Sequence, residues 1–445
     1  MQILRQTNLE ALERARALGG EGTISLIEKK GLVGRGGAAY PTGKKWRTCR
    51  DAAADERFVV CNADEGEPGT FKDKLILTHN PDTLIEGILI AAFAIGAKRC
   101  FIYLRGEYGY LQGGLQERID AVLAQAQMPG VSIEIVRGAG AYICGEATAL
   151  LQSLQGFRGN AMYKHPNPTT HGLFGKPTVI NNVETLACAA HAVLFDDWNP
   201  DIRLFSISGN VSNPGVYEFP LGVRMSTIID IARPLRKLKA MSFGCFGGIM
   251  PVDDSMLITP ESINMEKCQH GAFSVIFIDE TQNVADVSYS IAKFYTYESC
   301  GKCTPCREGK LMLDTLTKIT EGHGTMEDLD ALERVSKVVA EASLCGLGIS
   351  APNPVLTTMK YFREEYLAHI EAHKCPGHVC RELNSYRIDP EICVQRGHGC
   401  GVCKRECPEK AIFGEKNQPH RIDMSLCGKC GVCVDVCHFD AVIVE

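Results

Sequence analysis

Cysteine spacing constrains this chain more than any other feature. Cys300, Cys303 and Cys306 form C-x2-C-x2-C within Glu298-Ser-Cys-Gly-Lys-Cys-Thr-Pro-Cys-Arg-Glu-Gly309, and Cys345 follows in Ser343-Leu-Cys-Gly-Leu-Gly348. Three close thiolates and one remote thiolate can wrap a four-iron cubane. Further on, Cys400, Cys403 and Cys407-Pro408 make a second set, and Cys427, Cys430, Cys433 and Cys437 a third. Asp389-Pro-Glu-Ile-Cys393 and Asp423-Met-Ser-Leu-Cys427 each precede one of these sets, which marks an internal duplication. Packing does not call for such spacing; thiolate ligation does.

Most of the 21 cysteines fall in these runs, and the first 18 residues carry several charges at helical spacing rather than an apolar leader. The expectation is thiolate ligation in a reducing, cytoplasmic compartment rather than a disulfide framework. A net charge of -6 with no basic block speaks against nucleic-acid binding. The longest apolar run, 88–97, is too short to cross a bilayer, so no membrane span is expected.

Upstream of the cysteines, strands and helices alternate. Residues 57–61, 99–104 and 131–137 read as strands, and 80–97 and 108–126 as helices, so a parallel sheet is expected. Ligands of such sheets bind outside the carboxyl ends of the strands. Asn62-Ala-Asp-Glu-Gly-Glu-Pro-Gly69 and Gly138-Ala-Gly-Ala-Tyr-Ile-Cys-Gly-Glu146 stand there. Gly34-Arg-Gly-Gly-Ala-Ala-Tyr-Pro-Thr-Gly-Lys-Lys-Trp46 precedes them; its glycines let backbone N–H groups approach an anion beside Lys44 and Lys45. Carboxylates on such loops accept hydrogen bonds from ribose or ribityl hydroxyls, and the paired amides of Asn181 and Asn182 suit a heterocycle edge such as isoalloxazine. Thr7-Asn8 is expected to cap a first helix that Gly19-Gly20 stop, and 203–278 reads as short strands around one helix near 226–232. Residues 326–342 and 355–373 read as later helices.

Together these residues resemble one family. It is the flavoprotein subunit that takes electrons from NADH in respiratory complex I and in soluble NAD-linked and electron-bifurcating hydrogenases, formate dehydrogenases and transhydrogenases. Segments 34–46, 61–73, 138–151, 176–185 and 298–354 carry the resemblance, in order. It implies an α/β Rossmann-like domain for FMN and NADH over 1–200 and a small α+β ubiquitin-like (SLBB) domain over 201–284. A helical [4Fe-4S] domain over 285–372 and a linker with a two-cluster ferredoxin domain over 373–445 would follow.

By the same resemblance, Gly34, Arg35, Gly36, Gly37 and Lys45 hold the FMN phosphate. Asn62, Asp64, Tyr142, Gly145, Glu146, Asn181 and Asn182 line the flavin, and Glu65 and Glu67 position the nicotinamide nucleotide. The implied enzyme is an NAD(P)H-linked oxidoreductase: hydride passes between NAD(H) and FMN, and single electrons then run through three [4Fe-4S] clusters. Electron bifurcation involving ferredoxin occurs in the same branch. The implied partners are a separate thioredoxin-like [2Fe-2S] subunit, a further catalytic subunit of hydrogenase, formate dehydrogenase or transhydrogenase type, and free ferredoxin. Departures from the family pattern at Thr48, Ala147 and Asn167 weigh for a second reading, an FMN and iron–sulfur electron adaptor that does not use NAD(H) directly.

Two-cluster ferredoxins exchange the fourth cysteine between runs. Carried over, Cys427, Cys430 and Cys433 pair with Cys407, and Cys400 and Cys403 pair with Cys437. Gly397 stands where the remaining cysteine is expected, which leaves Cys393 across a wider loop, or His398, or a cluster that lacks one iron. His369, Cys375 and Cys380 form a further knot suited to a structural Zn²⁺, with the fourth ligand open.

Overall fold

The computed structural model describes every residue from Met1 to Glu445 except Lys267. The chain divides into two compact units: Met1–Asp279 with Phe294–Gly309 and Lys337–Thr357, and Glu280–Lys293 with Lys310–Ser336 and Thr358–Glu445.

The first unit is built on four parallel strands, β1 (Phe58–Ala63), β2 (Arg99–Leu104), β3 (Ser132–Arg137) and β4 (Thr178–Asn182), in the order β3-β2-β1-β4. Phe58 to Cys61 are fully buried, as expected of a strand covered by helices on both faces. Helix Pro81–Ile95 starts with proline in its first turn, ends at left-handed Gly96, and buries nearly its whole length. The expected cap at Thr7-Asn8 is not what starts the first helix. Helix Glu10–Lys29 has no side-chain cap of its own; the buried Glu86 carboxylate accepts from Leu9 N (3.0 Å), Leu12 N (2.8 Å) and the Thr7 hydroxyl. Gly19 breaks that helix, with φ of 70° and ψ of 165°, so the expected stop is a kink. A second sheet of five strands runs Gly215–Pro220, Ile202–Gly209, Ser274–Asp279, Leu238–Phe243, Ile249–Pro251, with helix Met225–Ala232 alongside in sequence.

In the second unit, helix Lys310–Thr320 buries Met312, Leu316 and Ile319, one face at helical spacing. The expected helix over 355–373 is broken at Phe362 into Asn353–Tyr361 and Arg363–Ile370. The tail is a duplication in space as well as in sequence. Strand Tyr386–Ile388 pairs with Val442–Val444, and Ile412–Phe413 with Arg421–Ile422. Asp389 N donates to Ala441 O at 2.7 Å, and its counterpart Asp423 N to Ala411 O at 2.8 Å. No helix among the described residues is long and apolar enough to cross a membrane.

Candidate flavin site and iron–sulfur ligand sets

Strand register assembles the first site. β1 and β4 are neighbours, so Cys61 lies beside Asn181 and Asn62 beside Asn182, at the carboxyl ends. The two amides are committed to holding the site's frame. Asn181 Oδ1 accepts from the buried Trp46 Nε1 at 2.9 Å. Asn182 Oδ1 caps helix Val183–Leu194 through Glu184 N at 3.1 Å, and its Nδ2 donates to Asp73 Oδ2 at 2.5 Å. Asn62 Nδ2 donates to Gly145 O at 2.9 Å, which ties the loop after β1 to the loop after β3. Glu146 caps helix Ala147–Leu154 through Thr148 N (2.9 Å) and Ala149 N (3.0 Å).

Two groups are left wanting a ligand. Lys45 Nζ donates to the Ile180 carbonyl at 2.9 Å, and desolvation, with Lys164 adding to it, pulls the ammonium down to about 8. Asp64 is buried, its Oδ2 has no partner, and burial pushes its carboxyl up to about 7, with Arg105 opposing. A cation short of an anion stands beside the glycine loop, where Gly37 holds φ of 104°. These groups fit a flavin phosphate and a donor-bearing ligand edge.

The nucleotide carboxylates differ from one another. Glu65 is turned inward: its oxygens accept from Asp73 N (2.8 Å), Lys74 N (3.1 Å) and the Tyr108 hydroxyl (3.1 Å). Burial, with Asp73 beside it, pushes its carboxyl up to about 7. This is the capping of helix Lys72–His79, not a surface presented to a nucleotide. Glu67 is half-buried and accepts from Cys245 N at 3.0 Å. Tyr142 packs against Phe246 and Phe294 with ring centroids 5.8 and 5.5 Å away, and its amide donates to Glu298 Oε2 at 2.8 Å. Thr48 is exposed and folds its hydroxyl back onto Lys44 O at 2.9 Å, and Asn167 is exposed, so neither offers an aromatic face.

The first cysteine set lies on two short helix starts. Cys303 precedes helix Thr304–Glu308 and Cys345 precedes helix Gly346–Ser350, where the Leu347 and Gly348 amides reach the Cys345 thiol. Cys306 and Cys345 are buried, and Cys300 and Cys303 half-buried. Burial raises the Cys306 thiol, against hydrogen bonds from Ser299 (3.1 Å) and Tyr295, and the charges of Cys303 and Cys300 act on it too. Burial raises the Cys345 thiol as well, against hydrogen bonds from the Leu347 and Gly348 amides.

The tail holds two cavities. One is walled by Cys407, Cys427, Cys430 and Cys433, the other by Cys393, Cys400, Cys403 and Cys437. That is the crossed grouping carried over from two-cluster ferredoxins, with Cys393 as the remaining member, and four cysteines around each cavity fit a cubane in each. His398 is not in the second wall; His420 is, with Nδ1 3.9 Å from Cys393 Sγ. A Cβ at Gly397 would lie 2.8 Å from Cys393 O and 3.0 Å from the Phe439 ring, so the position where a cysteine was expected has no room for one.

His369, Cys375 and Cys380 are all buried, and their ligand atoms lie within 4.8 Å of one another. His369 Nδ1 donates to Glu365 O at 2.6 Å, which leaves Nε2 as the ligating nitrogen, 3.2 Å from Cys380 Sγ. Hydrogen bonds from the Cys380 thiol and then His369 hold Cys375 well below the usual thiol range against desolvation. The arrangement fits a zinc ion. Asp286, whose carboxyl burial and Cys375 push up, is the nearby acidic group.

Sequence reasoning missed Lys72, His420 and Asp286. Lys72 is fully buried and bridges Asp73 (2.7 Å) and Glu184 (3.0 Å) beneath Asn182. Its signal was the Phe71-Lys-Asp-Lys74 string between the acidic loop and the helix expected from residue 80. His420 and Asp286 lie outside every motif, so spacing gave no hint of them.

Comparison with known proteins bears on these sites. Residues 27–191 match the Nuo51 FMN-binding domain family, and residues 286–369 the NADH-ubiquinone oxidoreductase-F iron-sulfur binding region. NADP-reducing hydrogenase subunit HndC of Solidesulfovibrio fructosivorans is 38% identical over 444 residues, covering 94% of this chain and 90% of that protein. The F subunit of NADH-quinone oxidoreductase from Mycobacterium tuberculosis is 39% identical over 399 residues, covering 84% of this chain and 90% of that protein. A crystal structure of an NAD+-reducing [NiFe]-hydrogenase in the H2-reduced state superimposes with a TM-score of 0.76 at 38% identity, covering 82% of this chain and 66% of the hydrogenase chain.

Proposed function

Because the chain belongs to the family of NADH-linked FMN and iron–sulfur flavoprotein subunits, we propose that it is the electron-entry subunit of a multisubunit oxidoreductase. In this reading FMN supplies hydride chemistry with NAD(H) and hands on single electrons. Lys45 and the loop Gly34–Gly37 hold its phosphate. Asp64 accepts a hydrogen bond from the flavin, and Asn62, Gly145 and Asn182 fix the distance between the loops that enclose it. Three [4Fe-4S] clusters take the sets Cys300/Cys303/Cys306/Cys345, Cys407/Cys427/Cys430/Cys433 and Cys393/Cys400/Cys403/Cys437. The observation that carries the reading is the buried Asp64 carboxylate at the strand ends with an open Oδ2, together with Lys45, whose Nζ has, among the described residues, only the Ile180 carbonyl as hydrogen-bond partner. Zn²⁺ on His369, Cys375 and Cys380 braces the segment before the tail, with Asp286 as the candidate fourth ligand. The four-domain division at residues 200, 284 and 372 belongs to the same proposal, as do a thioredoxin-like [2Fe-2S] subunit and a further catalytic subunit as partners. Ferredoxin-linked bifurcation extends the proposal without being required by it.

Glu67 is the nucleotide carboxylate of this reading, and Glu65 supports the loop from within. The inward turn of Glu65 and the missing aromatic faces at Thr48 and Asn167 favour the second reading, an electron adaptor fed by a neighbouring redox protein. Both readings predict one FMN, one zinc and about twelve irons per chain in anaerobically purified protein, four for each cluster. Markedly less iron, or no flavin, contradicts both. Only the first predicts that NADH reduces the flavin.

A further inference from the structure

A cavity of about 120 Å³ lies against the glycine loop, with Arg35, Ala39, Glu184, Arg203, His270 and Ala272 in its wall. Of the residues that the flavin reading uses, Gly34 and Arg35 of the loop line it, while Lys45, Asn62, Asn181 and Asn182 do not. Its volume is enough for several waters or one tetrahedral oxyanion.

The charge in the wall is unbalanced. Arg35 is 4% exposed; its Nη2 donates to Pro200 O at 2.8 Å, but Nε and Nη1 have no partner. Arg203, also buried, donates to Ile202 O at 3.2 Å and to Pro200 O. Desolvation, and then the charge of Arg35, pull the Arg203 guanidinium down to about 10. The wall's one carboxylate, Glu184, is already held by Lys72 Nζ at 3.0 Å. His270 Nδ1 is engaged with Gly271 O at 3.0 Å. Two guanidiniums therefore share the cavity against a single carboxylate that another cation has claimed. A buried cation with idle donors costs folding free energy until an anion completes it.

We propose that this cavity binds a small tetrahedral oxyanion, phosphate or sulfate, between Arg35 and Arg203, and that the bound anion braces the glycine loop. The bracing rests on the flavin reading; the site itself does not. Arg35 belongs to the loop, where its amide donates to Thr185 Oγ1 at 2.9 Å, while Arg203 belongs to strand Ile202–Gly209. A Cβ at Gly37 would stand 3.6 Å from Gly271, so the loop is in near contact with the cavity's other wall. One anion between the two guanidiniums would tie loop to strand through charge-assisted hydrogen bonds.

The test uses the full chain loaded with flavin and iron and exchanged into buffer free of phosphate and sulfate. Calorimetric titration with inorganic phosphate, and separately with sulfate, should show one saturable site. Arg203→Met should weaken it at least about tenfold by removing one charged donor. Ala272→Met, which fills the cavity without altering charge, should do the same if the arginine variant fails to fold. The exposed Arg236→Met should leave binding intact. Phosphate should also slow flavin release from the wild-type protein and not from Ala272→Met. Absence of saturable binding, or binding unchanged in the cavity variants, overturns the site. Flavin release indifferent to phosphate overturns the bracing alone. A preparation without flavin counts against the flavin reading, and calorimetry still decides the cavity.

Discussion

In the parallel-sheet region the buried core contains Leu12, Ile24, Val59, Ile88, Leu89, Val179 and Leu186, and none of these is a candidate ligand. In the tail the buried core is Tyr386, Ile388, Ile412, Ala441 and Val442 together with Cys393, Cys403 and Cys433, and partly buried Cys407, Cys427 and Cys437 pack against it. The first region can close its core with no cofactor present, and its site is then completed by a ligand. In the tail the ligands are a large part of the core. Small domains of this kind draw their folding free energy from the bound metal. If the proposed clusters occupy the tail, the difference teaches where each cofactor enters the folding problem: the flavin after the fold, the tail clusters as part of it.

The largest effect should come from breaking the tail's core. Cys433→Ser, or removal of iron by chelation under air, should open the chain after Asn384 to proteolysis while flavin absorption persists. A tail that stays protease-resistant without its iron would erase the contrast. Next in size, Cys303→Ser should remove about four irons and leave both FMN and the tail clusters in place, because this set is built onto the cofactor-independent region. Unchanged iron content would take the first cluster away from these residues.

A subtler test lies within the tail itself. Its two cavities differ in how the first cysteine of each run arrives, through C-x2-C at Cys427 and through the longer loop after Cys393, and in His420, which lines only the second. Cys393→Ala should yield a three-iron EPR signal, whereas His398→Ala should leave the spectrum unaltered. The reverse pattern would make His398 the ligand.

The smallest effect concerns pH on the flavin side. Without an anion Lys45 sits near 8. A bound phosphate favours its charged form and raises that value, so binding takes up a proton once the free protein has lost it. Flavin affinity should therefore be flat below about pH 8 and fall by up to about tenfold per unit above it. Lys45→Met should weaken flavin binding and flatten the profile. A wild-type profile that is level from pH 7 to pH 9.5 would remove Lys45 from the phosphate site.

How much of this was legible in sequence follows the same divide. Cysteine spacing marked the tail's ligand runs, because ligation imposes a spacing that packing does not, but it left the partner of Cys400, Cys403 and Cys437 open between Cys393 and His398. Strand–helix alternation foretold the parallel sheet, and strand Arg99–Leu104 and helix Met326–Ala342 stand where the pattern put them. The pattern did not reveal that Glu86 starts the first helix from 74 residues away along the chain, or that Glu65 spends its oxygens on backbone amides of helix Lys72–His79. Both depend on which buried polar group meets which orphan donor, and that is settled by tertiary packing. A carboxylate next to a strand end looks the same in sequence whether it faces a ligand or a helix. For that reason Glu65 and Glu67 could not be told apart, and the Arg35–Arg203 pair could not be seen at all.

The central claim is that electrons enter at the flavin from NADH and leave through the clusters. Anaerobic stopped-flow mixing of the flavin- and iron-loaded chain with NADH, followed at flavin and cluster wavelengths, tests it most directly. The account predicts that flavin absorption bleaches first and that the broader iron–sulfur absorption falls after it. It also predicts that Glu67→Gln slows the first phase without changing the amplitude of the second. Flavin that stays oxidised with NADH but bleaches with dithionite would contradict the claim and leave the chain as an electron adaptor.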